Sequence, residues 1–294
     1  MKKSLEIYQV DVFTDERFNG NPATVVWDSE SLSKDLMLKL AQEFNNSETV
    51  FACFNKNNTL VLRYFTPTQE IDFCGHATIA AAIVFVKRLG SRSSIEFLTN
   101  SGPLTIHLKD GKYYYGPYEA RTDEIIDGRM KEELLGVLNL SSKDLHSKYP
   151  MQIVKSVSNK LLIFLKTRKS VFGFFPNFTK LKEFSIHYNL PPVFLFSVKK
   201  DVTNLKCYGR MFAPTLGIDE DPVNGNSCIT MAEYLFTHNV VEHTLFFNTP
   251  VQCIQGKLTG REGTVFIDVK EVNKQLKVSI GGTGVIVFKT KVKI

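Results

Sequence analysis

The sequence predicts an α+β fold made of two similar halves, and three observations lead there. A ten-residue stretch occurs twice: Arg63–Asp72 reads RYFTPTQEID and Arg210–Asp219 reads RMFAPTLGID, an offset of 147 in a chain of 294 residues. Each copy leads through a glycine-bearing turn into an apolar helix, Cys74-Gly75-His76 into Ala77–Arg88 and Asn224-Gly225-Asn226 into Ser227–His238. Most of the remaining pattern reads as short strands. Internal repeats decide architecture ahead of local patterning, and a buried helix wrapped by strands in each half makes two small barrels. The alternating βαβ order of a doubly wound sheet is absent.

In the first half, Leu5–Phe13 alternates as a strand and Ala23–Trp27 is a short apolar one, separated by a turn-rich loop through Gly20-Asn21-Pro22. A helix follows Ser31-Leu32-Ser33, with Ser33 as N-cap and Leu36, Met37, Leu40, Ala41 and Phe44 on one face. Ser47-Glu48-Thr49 then leads into a strand, and Leu60–Thr66 is another. The helix Ala77–Arg88 is apolar nearly all round, which predicts burial, and Gly90 closes it. Strands at Ile95–Leu98, Leu104–Leu108 and Lys112–Tyr115 complete the half. The polar, aperiodic stretch Glu119–Arg129 is the expected boundary.

The second half repeats the plan. A helix at Lys131–Leu138 is followed by strands at Gln152–Val157 and Lys160–Leu165, joined by Ser158-Asn159 with no glutamate to match Glu48. Val171–Phe175 reads as aromatic core and Leu181–Tyr188 as a helix. Val193–Val198 and Lys206–Phe212 are strands. Beyond the second apolar helix, strands are predicted at Thr244–Asn248, Gln252–Gln255, Thr264–Val269, Leu276–Ile280 and Val285–Thr290, with Gly281-Gly282-Thr283-Gly284 a tight turn or bulge.

A buried helix must satisfy its first N–H groups, and its dipole puts partial positive charge at the same end. Two readings of the first opening turn follow. It is an anion site presented by Gly75, or Asp72 or His76 simply caps it. If both openings met at one cleft, amides near Gly75 and Gly225 would hold a carboxylate-bearing substrate. His76, Asp221 and Asn226 would line the rim and Glu48 would serve as a base. That arrangement suits proton abstraction beside a carboxylate, with amide dipoles stabilising the developing anion and no metal or cofactor required.

Composition narrows the classes. Net charge is +6, carried by scattered lysines without arginine–aromatic clusters, which argues for a solvated surface over a nucleic-acid footprint. Five cysteines, an odd number with no CxxC spacing, fit a reducing compartment better than a disulfide framework or zinc site. The opening MKKSLEIYQVDVF lacks the unbroken apolar run of a signal peptide. No stretch of about 18 apolar residues is present to span a membrane. The expected location is cytoplasmic. No GxGxxG follows a strand, which argues against a Rossmann-type nicotinamide enzyme.

Val10-Asp11-Val12-Phe13-Thr14 with Phe18-Asn19-Gly20-Asn21-Pro22, Asn46-Ser47-Glu48-Thr49, Phe73-Cys74-Gly75-His76-Ala77-Thr78 and Glu220-Asp221-Pro222-Val223-Asn224-Gly225 together resemble the phenazine-biosynthesis PhzF-like family. Gln255-Gly256, Gly260-Arg261 and Ile280-Gly281-Gly282 fit its closing strands, so the likeness runs through the whole chain in order. The resemblance implies the diaminopimelate-epimerase-like fold: one barrel from residues 1–120 with the closing strand 281–294, a second from 121–280, the active-site cleft between them, and a homodimer. It implies a cofactor-independent isomerase acting on a small carboxylate-bearing substrate. Glu48 would be the acid/base, His76 and Asp221 would hold or polarise the substrate, and Gly75 and Gly225 would lend backbone contacts. Family members often carry Thr and Ser where this chain has Asn224 and Asn226, which leaves a serine hydroxyl contact to be made, if at all, by an amide.

Two alternatives stay open. Epimerases of this fold use two opposed cysteines; Cys74 stands where the first would be, but Asn224 occupies the second place and Cys228 lies three residues beyond Gly225. A non-catalytic small-molecule binder on the same fold would not need Glu48.

Overall fold

The computed structural model describes residues 4–27, 32–200 and 204–294. Lys2 and Lys3 of the opening segment, and Ser31, which precedes the expected first helix in sequence, lie outside the described residues. The chain divides into two compact units, one ending at Gly116 and taking back Gly281–Ile294, the other Pro117–Ile280. Each is a β-barrel around a central helix, and the two repeat one topology.

In the first unit, β1 (Ser4–Val12) pairs antiparallel with β2 (Asn21–Trp27). Helix α1 (Lys34–Phe44) starts on Ser33, whose side chain accepts the Leu36 N–H, and buries Met37, Leu40 and Ala41. β3 (Glu48–Phe54) runs parallel to β2 and antiparallel to β4 (Leu60–Phe65), which carries the first repeat. After the short β5 (Glu70–Ile71), α2 (Gly75–Leu89) is buried from Gly75 through Phe85. β6 (Ser94–Thr99), β7 (Gly102–Lys109) and β8 (Lys112–Tyr118) follow as antiparallel neighbours. The C-terminal strand Gly284–Lys293 returns to pair with β1.

The second unit has the same neighbour order. Its first strand, β9 (Arg121–Ile126), pairs with β10 (Met151–Lys155), as the C-terminal strand pairs with β1. Between them lies α3 (Gly128–Val137). β11 (Lys160–Phe164), α4 (Arg168–Phe172), α5 (Phe178–His187), β12 (Val193–Lys200) and β13 (Leu205–Ala213) come next; β11 and β12 are parallel, β12 and β13 antiparallel. β14 (Ile218–Asp221) leads to the central helix α6 (Gly225–Thr237). The unit closes with α7 (His243–Asn248), β15 (Val251–Gln255), β16 (Gly263–Val272) and β17 (Gln275–Gly282), the last two residues of which count with the first unit.

Several local readings need correction. The polar boundary stretch contains β9, hidden because only Ile126 among its residues is buried; the others are polar apart from the exposed Ile125. Residues 244–248 form helix α7, not a strand: the apolar run is short enough to suit either, and only Phe246 is buried. In the aromatic cluster, Val171 and Phe174 are core but Phe175 is 69% exposed. Gly281 and Gly282 belong to β17, where a Cβ would lie 2.3 Å from the Tyr114 ring and 2.5 Å from the Phe13 ring; close ring packing, not only a turn, asks for glycine there.

The repeat also aligns differently from its spelling. Tyr64 pairs with Ile71, whereas the equivalent Met211 pairs with Asp221, so the offset grows from 147 to 150 inside the second copy. The three extra residues fall in the 3-10 turn Pro214–Leu216 and the left-handed Gly217. Ile218-Asp219 is therefore not the partner of Ile71-Asp72. No helix among the described residues is long and apolar enough to cross a membrane.

Candidate active site

The first unit assembles its site at the start of α2. Asn46 anchors the preceding turn by donating to the Gln9 side-chain carbonyl at 2.9 Å and to Thr24 Oγ1 at 2.6 Å. That fixes the start of β3, where Glu48 lies opposite Ala23 of β2. On the helix side, Thr78 Oγ1 donates to the Cys74 carbonyl at 2.7 Å and meets the buried Tyr64 hydroxyl at 2.7 Å. Phe73 packs edge-on against both Tyr64 and Tyr115. Tyr115 covers the first turn so closely that a Cβ on Gly75 would lie 2.4 Å from its hydroxyl oxygen.

These constraints bring Glu48, His76 and Cys74 together. Glu48 Oε2 is 3.3 Å from His76 Nε2, with the two side chains 15% and 10% exposed. Yet neither atom has a hydrogen-bond partner of acceptable geometry, and the adjacent Ser47 and Thr49 hydroxyl oxygens lack one too. The distance is that of an ion pair without the alignment of a hydrogen bond. Buried polar atoms are seldom left so, and the exceptions call for a cause. On the opposite ring nitrogen, Cys74 Sγ lies 3.4 Å from His76 Nδ1.

The helix opening excludes the capped reading. Cys74 is the N-cap residue, and no side chain makes a cap hydrogen bond. Neither Asp72 nor His76 caps α2. The helix ladder begins with the Thr78 N–H on the Cys74 carbonyl at 3.0 Å. The amides of Gly75, His76 and Ala77 precede it and have no acceptor within the helix. An uncapped N-terminus with its positive dipole end beside a carboxylate and an imidazole is equipped to receive an anion.

In the second unit the equivalent helix is closed. Asn224 caps α6: its side-chain oxygen accepts the Ser227 N–H and hydroxyl, each at 2.8 Å. Its Nδ2 donates to Asp221 Oδ2 at 2.9 Å, so the carboxylate is tied to the helix opening. Gln255 clamps the same turn, accepting the Asn224 N–H at 3.0 Å and donating to its carbonyl at 3.1 Å. Gly225 is buried at the first helical position, with Asn226 half-buried after it.

The place Glu48 would hold in the second unit is not the Ser158-Asn159 turn. Val50 pairs with Tyr64 and Phe194 with Met211, so Glu48 corresponds to Pro192, just before β12. A carboxylate is absent there, but the register, which sequence alone could not supply, moves the comparison by a whole helix pair.

Lys160 is a buried cation that no sequence motif singles out. Only 1% exposed, it donates to the Ser158 hydroxyl at 2.5 Å and to the carbonyls of Ser158 and Asn159. Burial pushes its amine down to about 8, with the charge of Asp221 working the other way. The available signal was a lysine heading an otherwise apolar run, KLLIFL.

Residues 10–290 match the family described as phenazine biosynthesis-like protein. The chain is 33% identical over 308 residues to an uncharacterized isomerase of Clostridium acetobutylicum, with 99% of each chain covered. In structure it is similar to a phenazine biosynthesis protein of the PhzF family from Enterococcus faecalis, with a TM-score of 0.79 at 28% identity over 99% of this chain and 100% of that one. A hydroxyproline epimerase from Agrobacterium vitis, solved with trans-4-OH-L-proline bound, gives a TM-score of 0.58 at 9% identity, covering 100% and 94%. That last likeness is one of fold alone.

Proposed function

The chain belongs to the phenazine biosynthesis-like family, and we propose that it is an isomerase in which Glu48 moves a proton on a small, carboxylate-bearing, amino-acid-like or cyclic substrate. An isomerase or epimerase is the class that the relatives' names support. The observation that carries the finer reading is the Glu48–His76 contact, two buried atoms 3.3 Å apart and lacking a hydrogen bond, beside an uncapped helix opening.

In this reading the amides of Gly75, His76 and Ala77 bind the substrate carboxylate and oppose the charge that develops on deprotonation. Glu48 removes the proton and returns it at a second carbon. His76 polarises the substrate and keeps Glu48 oriented. Asp221, Gly225 and Asn226 are assigned to substrate binding on family resemblance, with Asp221 held in place by Asn224. No cofactor is needed for such a step.

Glu48→Gln tests the proposal. Deuterium incorporation from D2O into a bound candidate acid should fall by about 10²-fold or more while ligand binding persists. Exchange at the wild-type rate would remove Glu48 as the base. A binder would show no exchange in either protein.

One observation favours a second reading, a thiol-dependent racemase: Cys74 Sγ lies within reach of His76 Nδ1. Against it, the corresponding residue in the second unit is Asn224, engaged as a cap. Full activity in Cys74→Ala would eliminate the thiol base.

A further inference from the structure

We infer that Cys74, His76 and Glu48 form a binding site for zinc, acting as an inhibitory ligand and not as a resident cofactor. Each offers one donor atom, a thiol sulfur, an imidazole nitrogen and a carboxylate oxygen, and the three lie within 4.8 Å of one another. Thiolate, imidazole and carboxylate are the donor set that borderline-soft Zn2+ takes, and a poor one for Mg2+ or Ca2+.

The spacing is already close to what the ion needs. A tetrahedral zinc bound to sulfur and to a ring nitrogen holds those two atoms about 3.5 Å apart. Cys74 Sγ and His76 Nδ1 are 3.4 Å apart. Both belong to one rigid turn, the N-cap and second residue of α2, so little ordering is required. Glu48 faces Nε2 instead and must swing toward Nδ1 to complete three protein ligands. A fourth position is left for water or an anion.

Binding displaces the thiol proton to solvent and leaves sulfur as thiolate. It also takes the Glu48 carboxylate from the imidazole it now faces. The metal site stands on geometry alone; its inhibitory consequence rests on the proposed role of Glu48.

The test is calorimetric titration of the intact protein with ZnCl2 in a non-chelating buffer at neutral pH, with MgCl2 in parallel. One Zn2+ per chain is expected, and no Mg2+ binding. Cys74→Ala and Cys74→Ser should each weaken zinc about 100-fold, and Glu48→Gln about tenfold. Zinc should also slow iodoacetamide labelling of Cys74, read by peptide mass spectrometry. Thermal melts of the variants establish that they are folded. No binding to the wild type, or binding unchanged in both Cys74 variants, overturns the site. Zinc binding that depends on Cys74, combined with wild-type proton exchange in Glu48→Gln, keeps the metal site and discards the acid/base reading.

Discussion

Arg210 makes a two-point ion pair with Glu220, 2.9 Å from Nε to Oε1 and 2.8 Å from Nη2 to Oε2. Its guanidinium also lies against the rings of Phe174 and Phe212 and donates to the carbonyls of Val171 and Phe174. Arg63 and Glu70 form the same fork in the first unit, at 2.7 and 3.0 Å. The repeated arginine is thus a brace between the repeat strand and the short strand leading to the central helix. The glutamates sit seven and ten residues after their arginines, so the contact outlasts the insertion.

The two braces should differ in weight. Arg210 is 1% exposed at its side chain and Arg63 30%. Arg210→Met leaves Glu220 and two carbonyls without their donor and should cost about 3–5 kcal/mol. Arg63→Met should cost about 1 kcal/mol. Guanidinium denaturation of both variants checks this, and equal losses would refute the difference.

Glu70 should govern part of the acid stability. The hydrogen bond from Arg63, helped by Lys34 and Asn100 against the effect of burial, holds its carboxyl down at about 2 from the ordinary 4.5. A carboxyl lowered on folding stabilises fully above 4.5, and that contribution is lost as pH falls from 4.5 toward 2. The melting temperatures of wild type and Glu70→Gln should therefore converge over that interval. A constant gap across it would contradict the assignment.

Gly75→Ala should destabilise the first unit by about 1–3 kcal/mol, the range for an overpacked site. Tyr115→Phe should not restore it, because the ring carbons Cζ and Cε1 would still lie 2.5 and 2.9 Å from the new methyl. Thermal melts of the single and double variants check this; rescue by phenylalanine would mean that the hydroxyl alone forbids a side chain.

Asn224 separates capping from site organisation. Asn224→Ala should lose about 1 kcal/mol with the cap. Asn224→Ser keeps an acceptor for the helix but cannot hold Asp221 in the same way. It should retain most of the stability while raising KM for a confirmed substrate. Restored stability with an unchanged KM would show that Asp221 needs no such tether.

The sequence made the central helices legible because both are continuous apolar runs behind matching turns, and Glu48, Gly75 and His76 emerged because their motifs are specific. What it hid were facts of register. Pro192 as the counterpart of Glu48, and Asp221 as the counterpart of Ile71, depend on which strands lie side by side. β9 leaves no trace in the pattern because a strand with one buried residue carries no alternation. The cap on Asn224 and the bare cap at Cys74 differ in side-chain hydrogen bonds, which no spacing pattern encodes.

The strand Gly284–Lys293 has a consequence for how the chain acquires this structure. It lies along the whole of β1, from Ser4 against Lys293 to Val12 against Gly284. The second unit is contiguous and can fold as its own residues leave the ribosome. The first unit is synthesised earlier, but its β1 edge waits for a strand some 270 residues downstream. During that interval an open β edge is exposed to other nascent chains, and the half that carries Glu48 is the last to become whole.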